Sequence, residues 1–268
     1  MDTQDWYTVD EFAPGTFQVT EGDRFNMFLI VGNEKALALD GGIGIGNLRK
    51  LYESIADLPI DFVLTHTHWD HVGAASQWDN IGVHPNGKGQ LANDLSKFCQ
   101  RFLNGWDKPL PQDFDPASYN IKPATFGWEV KEGNVLDLGG RRIRVYDTPG
   151  HSPCSVSLLD EKEGVLISGD LARCKEVLFM QVPTAVLSDY APSLRKLEKL
   201  AGEVKWICSG HTPPYPDASI LGEMAAFVEE IEAGKHEPPK KAEGGNWGEV
   251  DEYEAPCCKV WIQDHARK

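Results

Sequence analysis

Apolar positions in the first third of the chain recur in short alternating or continuous runs, with one stretch of helical spacing among them. Residues 25–31 and 35–40 read as strands, and Gly32-Asn33 between them is a hairpin signature because both residue types accept positive φ. Over residues 47–56, Leu48, Leu51, Tyr52 and Ile55 share one face of a helix, and residues 62–65 follow as a buried strand. The second half repeats this layout. Residues 135–138 and 142–146 predict a hairpin around Gly139-Gly140, and 165–168 and 206–209 predict two further short strands. An apolar stretch covers 177–182, helices are predicted over 192–201 and 220–231, and a terminal strand over 258–262. The polar stretch 237–254, which contains proline and glycine, predicts a loop.

Residues able to bind metals sit where these strands end. His66-Thr67-His68-Trp69-Asp70-His71 follows the strand at 62–65, His151 follows the turn Thr148-Pro149-Gly150, Asp170 follows Ser168-Gly169, and His211 follows Ser209-Gly210. Imidazole nitrogens and carboxylate oxygens are the usual ligands of zinc and similar divalent ions. Loops leaving the carboxyl ends of strands are where open α/β sheets bind ligands. His66 and His68, two positions apart, point to the same side of an extended segment. Asp70 and His71 fall on the turn that follows. Taken alone, a histidine after Pro-Gly is more often a turn residue, and a single aspartate more often a helix cap. Together these residues point to a metal, and the ensemble takes up five of the eight histidines.

Through these four motifs, in this order over residues 62–211, the chain resembles the metallo-β-lactamase fold hydrolases, in particular their His-x-His-x-Asp-His subgroup. The resemblance implies an α/β fold, a four-layer αββα sandwich in a single domain over 1–268. Its halves would be about 1–134 and 135–268, with an aromatic-rich insertion at about 85–128. It also implies a dinuclear site in which His66, His68 and His151 hold one ion, Asp70, His71 and His211 hold the other, and Asp170 bridges them. The cofactors would be two divalent ions per chain, zinc first, with iron or manganese as alternatives. A water on such ions loses its proton near neutral pH, so the expected reaction is metal-hydroxide attack on a small ester or lactone. Asp70 would orient the hydroxide or carry a proton to the leaving group. Thioester, amide and phosphoester bonds are further candidates. A reading from a different class is a mononuclear iron oxygenase similar to the persulfide dioxygenases, using His66, His151 and Asp170.

Departures from particular branches narrow the reading. Asp170 is a carboxylate that the true β-lactamases of the superfamily lack, and His68 stands where the diiron flavoproteins place glutamate. No basic cluster like the glutathione-binding one of glyoxalase II appears near the C-terminus. Arg173 occupies the position of a tyrosine found in acyl-homoserine lactonases. These departures count against a thioesterase or a quorum-signal lactonase.

Candidate substrate contacts are Trp69, as an apolar wall beside the metals or as a core anchor, and Arg173 and Lys175, as partners for a substrate anion or as solvated loop residues. Gly41 to Gly46 is not read as a phosphate-binding loop, since no Gly-Lys-Ser/Thr follows; its glycines let the backbone pass close to the metal site. The region 85–128 carries Phe102, Trp106, Phe114, Tyr119, Phe126 and Trp128 and predicts a helix over 93–103. It offers a lid over a small-molecule substrate, a homodimer contact or an ordinary packed insertion. His84 reads as a strand-end residue, and His236 and His265 as bystanders.

Charge removes one class of partner. With 26 Lys and Arg against 41 Asp and Glu, the net charge is −15, and basic residues cluster no further than pairs such as Arg141-Arg142 and Lys240-Lys241. A nucleic-acid partner is therefore not expected. No segment is apolar enough for a membrane span, and the acidic start Met1-Asp2-Thr3-Gln4-Asp5 lacks secretory features, so a cytoplasmic location is expected. Six cysteines without a Cys-x-x-Cys read as reduced, mostly buried thiols, with Cys257-Cys258 the one unusual pair.

Overall fold

The computed structural model describes residues 6–236 and 239–267. The acidic start at residues 1–5 lies outside them, as do Glu237 and Pro238 of the stretch read as a loop. The chain divides into two compact units, residues 1–131 with 135–142, and residues 132–134 with 143–268.

The first unit carries β1 (Tyr7–Ala13), β2 (Thr16–Glu21), β3 (Phe25–Val31), β4 (Ala36–Leu39), α1 (Leu48–Ile55), β5 (Ile60–Val63), β6 (Ile81–Val83), α2 (Ser96–Asn104), β7 (Phe126–Glu129) and β8 (Val135–Asp137). Seven strands form one sheet in the order β1-β2-β3-β4-β5-β6-β7. Pairing is antiparallel through β4 and parallel from β4 to β7. Helix α1 is capped by Asn47, whose side chain accepts from the Lys50 N–H at 2.9 Å, and it buries Leu48 and Tyr52. These two residues join Met27, Leu29, Phe62, Leu64 and Trp78 in the core.

The strands at 25–31 and 35–40 are found, as an antiparallel pair in which Val31 faces Ala36. The turn between them differs from expectation, because neither Gly32 nor Asn33 takes positive φ. Glycine is required at 32 for a different reason. A Cβ there would lie 2.1 Å from the Leu138 carbonyl oxygen, since residues 138–141 fold against this turn and Leu138 O accepts from the Glu34 N–H.

The second unit carries β9 (Arg142–Asp147), β10 (Val156–Asp160), β11 (Val165–Ile167), β12 (Val177–Met180), α3 (Leu187–Glu198), β13 (Trp206–Cys208), α4 (Ile220–Glu232), β14 (Lys240–Glu243), β15 (Glu249–Glu254) and β16 (Lys259–Ile262). Strands β13-β11-β10-β9 run side by side in that order, with β11 and β13 parallel. A separate sheet has the order β12-β16-β15-β14. Leu194 and Leu197 of α3 and Leu221, Met224 and Val228 of α4 lie in one core with Leu166 and Ile207.

Two expectations need correction here. The helix expected at 192–201 begins at Leu187 and carries Pro192 inside it. Proline removes the N–H that would reach the Ser188 carbonyl, but Ser188 is exposed, so water is available to that carbonyl. The stretch read as a loop contains β14 and β15. Their pairing rests on charge, with Lys241 opposite Asp251 in a 2.7 Å ion pair, and on the buried Val250, a pattern that apolar periodicity does not register. Among the described residues no helix is long and apolar enough to cross a membrane.

Candidate metal centre

In the first unit, adjacent parallel strands β4 and β5 end together and deliver Asp40 next to Thr65 and the segment beyond it. Asp40 sits at φ 63°, a left-handed conformation that aspartate tolerates better than most residues. The residue is 1% exposed, and its carboxylate organises three groups. Oδ1 accepts the Thr65 N–H at 2.7 Å, and Oδ2 accepts both the Thr65 hydroxyl at 2.7 Å and His71 Nδ1 at 2.8 Å. A carboxylate only accepts, so His71 carries its proton on Nδ1 and presents Nε2 as a lone pair.

The same logic extends to His66. The single proton of Thr65 goes to Asp40, so the hydroxyl accepts from His66 Nδ1 at 3.2 Å, which leaves Nε2 as that ring's lone-pair nitrogen. Nε2 of His66 faces Nδ1 of His68 at 3.1 Å. Two nitrogens on one tetrahedral zinc-type ion stand about 3.3 Å apart, given bonds of about 2.0–2.1 Å. The separation therefore fits two ligands of one ion. Asp70 and His71 follow on a turn closed by His71 N–H to His68 O at 3.0 Å.

The glycine-rich loop packs directly on this segment. Gly41 N donates to His71 O at 2.7 Å and Gly73 N to Gly42 O at 2.9 Å, and a Cβ on Gly73 would come within 2.2 Å of the Ile43 backbone. Glu21 fixes the loop from below. Its buried carboxylate accepts from the N–H groups of Ile43, Gly44 and Ile45 and from Trp6 Nε1, while burial, the larger influence, pushes its carboxyl above the usual range.

In the second unit, three separate turns supply the candidate ligands. His151 follows the turn after β9, Asp170 the turn after β11, and His211 the turn after β13. His151 Nδ1 donates to the Phe179 carbonyl at 3.1 Å, so here too Nε2 is the presented nitrogen. Asp170 Oδ2 stands 3.7 Å from His151 Nε2 and 3.1 Å from His211 Nε2, one carboxylate oxygen between two imidazoles. Tyr190 donates to the Asp170 carbonyl oxygen at 3.2 Å. His66, His68, Asp70, His71, His151, Asp170 and His211 each belong to a His/Asp group able to hold a metal ion.

The remaining candidates separate. Trp69 packs on Phe98 and Phe102 of α2 with ring centroids 4.8 and 4.5 Å away, and edge-on to Phe25 at 5.7 Å. Lys175 is exposed, and its Nζ donates to the Pro256 carbonyl at 3.0 Å. Arg173 is buried, its guanidinium 4.0 Å from the centre of the Phe179 ring.

The region 85–128 is tied to its own unit. Tyr119 donates to Ile43 O at 2.6 Å, Trp106 stacks near Phe25, and Lys108 reaches Asp23 at 2.8 Å. From Phe126 onward the region is part of the sheet as β7. Among the described residues, the large apolar side chains that stand exposed are Val9, Val135 and Trp247, none of them in this region.

Sequence reasoning passed over Asp40 and Glu21 as site residues. Asp40 carried a signal, since an aspartate before Gly-Gly at a strand end sits in the same kind of position as the other candidates. Glu21 carried none, because its role depends on a backbone loop more than twenty positions away.

Comparison with known proteins finds that the family described as the metallo-beta-lactamase superfamily matches residues 22–211. Acyl-coenzyme A thioesterase MBLAC2 of Homo sapiens is 27% identical over 234 residues, spanning 79% of this chain and 83% of the relative. Hydroxyacylglutathione hydrolase GloC of Haemophilus influenzae is 31% identical over 156 residues, 54% of this chain and 66% of the relative. Among solved structures, DIM-1 metallo-beta-lactamase aligns with a TM-score of 0.61 at 16% identity, covering 84% of this chain and 98% of that one. A metallo-beta-lactamase family protein from Thermus thermophilus aligns at 0.58 with 20% identity, covering 84% and 82%.

Proposed function

The chain belongs to the metallo-β-lactamase superfamily of hydrolases and shares its α/β fold, and from that premise we propose that it is a dinuclear metal-dependent hydrolase of small acyl thioesters and esters. His66, His68 and His151 would hold one ion and Asp70, His71 and His211 the other, with Asp170 available as a shared ligand. The observation that carries this reading is the orientation of the buried imidazoles. In each unit Nδ1 is tied to a protein oxygen (Thr65, Asp40 or the Phe179 carbonyl), which leaves Nε2 as the nitrogen available to a metal. Such tethering fixes the tautomer and raises ligand basicity.

Divalent ions bound there supply a water acidified to near-neutral pKa and polarise the scissile carbonyl. The chain's own residues do the rest. Asp70 accepts a proton from the attacking water and passes it toward the leaving group, while Asp40, through His71 and Thr65, holds the loop in register. Acyl thioesters stand ahead of lactones because the relative aligned over most of both chains is named an acyl-coenzyme A thioesterase. The lack of a basic C-terminal cluster therefore does not weigh against thioester cleavage. Zinc is the proposed metal, since imidazoles outnumber carboxylates among the proposed ligands and imidazole suits zinc-type ions.

A substrate panel tests the reading. Purified protein given acyl thioesters, esters, lactones, a β-lactam and a phosphodiester is expected to turn over the first two classes fastest. Oxygen consumption with glutathione persulfide and no hydrolysis of any panel member would replace this reading with the mononuclear iron oxygenase.

A further inference from the structure

Arg173 presents a permanent charge in an unusual setting. The residue is 7% exposed, and its Nε and Nη1 are buried without a hydrogen-bond partner. Among the described residues its guanidinium has no ion pair; its side-chain contact is the face of Phe179, 4.0 Å away. Guanidinium does not lose its proton in proteins, so the charge cannot be relieved by titration. A buried cation held this way costs stability unless something compensates it.

Its surroundings belong to the candidate site. Arg173 lies three positions after Asp170, and Phe179, on which it stacks, uses its backbone carbonyl to hold His151. Tyr190, which donates to the Asp170 carbonyl, feels the charges of both Asp170 and Arg173.

We infer that Arg173 binds an oxyanion of the substrate, a carboxylate or a phosphate, and thereby makes this hydrolase selective for anionic acyl compounds. The inference rests on the proposed hydrolase reading and adds the charge of the substrate to it. Phe179 covers one side of the guanidinium and leaves it partly dehydrated, which strengthens a charge-assisted hydrogen bond relative to one in water. The anion supplies what the unmatched donors lack.

Two pairs of thioesters test it, each pair differing only in one anionic group. One pair carries or lacks a terminal carboxylate on the acyl chain; the other carries or lacks a phosphate monoester on the thiol. The wild-type protein is expected to favour the anionic member of one pair by about tenfold or more in kcat/KM, mostly through KM, and the pair concerned identifies the source of the anion. Arg173→Met brings that ratio toward one, and Arg173→Lys keeps part of it. The corresponding thioethers, which cannot be hydrolysed, are titrated calorimetrically against the same proteins and follow the same order. If nothing is turned over but the thioethers show an Arg173-dependent preference, the anion site stands and the hydrolase reading fails. A ratio unaltered by R173M, or indifference of the wild type to both anions in turnover and in binding, overturns the inference. Thermal unfolding without ligand gives a further readout, with R173M expected to melt at the wild-type temperature or above it. A lower midpoint combined with an unaltered ratio makes Arg173 a packing residue and also overturns it.

Discussion

In the first unit, His66, His68, Asp70 and His71 come from one six-residue segment after β5, whereas in the second His151, Asp170 and His211 arrive from three separate strand ends. The supports differ in the same way. One buried carboxylate, Asp40, steadies the first segment through Thr65 and His71. The second set depends on groups far away in sequence, the Phe179 carbonyl for His151 and the Tyr190 hydroxyl for the Asp170 backbone. Ligands gathered in one loop need a single keystone. Ligands gathered from several strands take their geometry from the packing of the whole unit, so each individual support matters less.

Substitutions test that contrast, and the largest effect is expected where one atom serves two imidazoles. Asp170→Asn should lower kcat/KM by more than about a hundredfold with the far-ultraviolet circular dichroism intact; retention of full activity would show that the carboxylate is not shared. Asp40→Asn, chosen because asparagine also tolerates positive φ, should weaken metal affinity about 10- to 100-fold and cost about 1–3 kcal/mol of stability, since a buried acceptor is exchanged for a group that cannot accept at both positions. Metal titration and chemical denaturation check the two effects. Tyr190→Phe removes one hydrogen bond in the second unit and should cost about 0.5–1.5 kcal/mol with a much smaller loss of metal affinity than Asp40→Asn. Equal losses from these two variants would break the contrast between keystone and distributed support. Lys175→Met, at an exposed side chain anchored only to the Pro256 carbonyl, should shift unfolding by no more than about 0.5 kcal/mol.

The candidate metal-binding residues stood out in the sequence because four motifs end four apolar runs, and such runs leave a trace that survives without tertiary information. Strand β3 was legible to its last residue for the same reason, since its near-continuous burial requires a continuous apolar run. What escaped was anything whose logic lies across the fold. Glu21 looks like an ordinary acidic residue until a loop beyond residue 40 wraps its N–H groups around it. Strands β14 and β15 alternate charges that pair only once the strands are aligned. The true start of α3 was hidden by Pro192, because a proline is a more common feature of a helix's first turn than of its interior. Arg173 was visible as a basic residue near Asp170, but its burial on Phe179 depends on β12 coming alongside.

Elemental analysis of the purified protein tests the central claim most directly, because every role assigned to the seven His and Asp residues presupposes two ions. Two divalent ions per chain, predominantly zinc, falling to one or none in Asp170→Asn, is the expected result. A single iron per chain, or a full complement of metal in Asp170→Asn, would contradict the account.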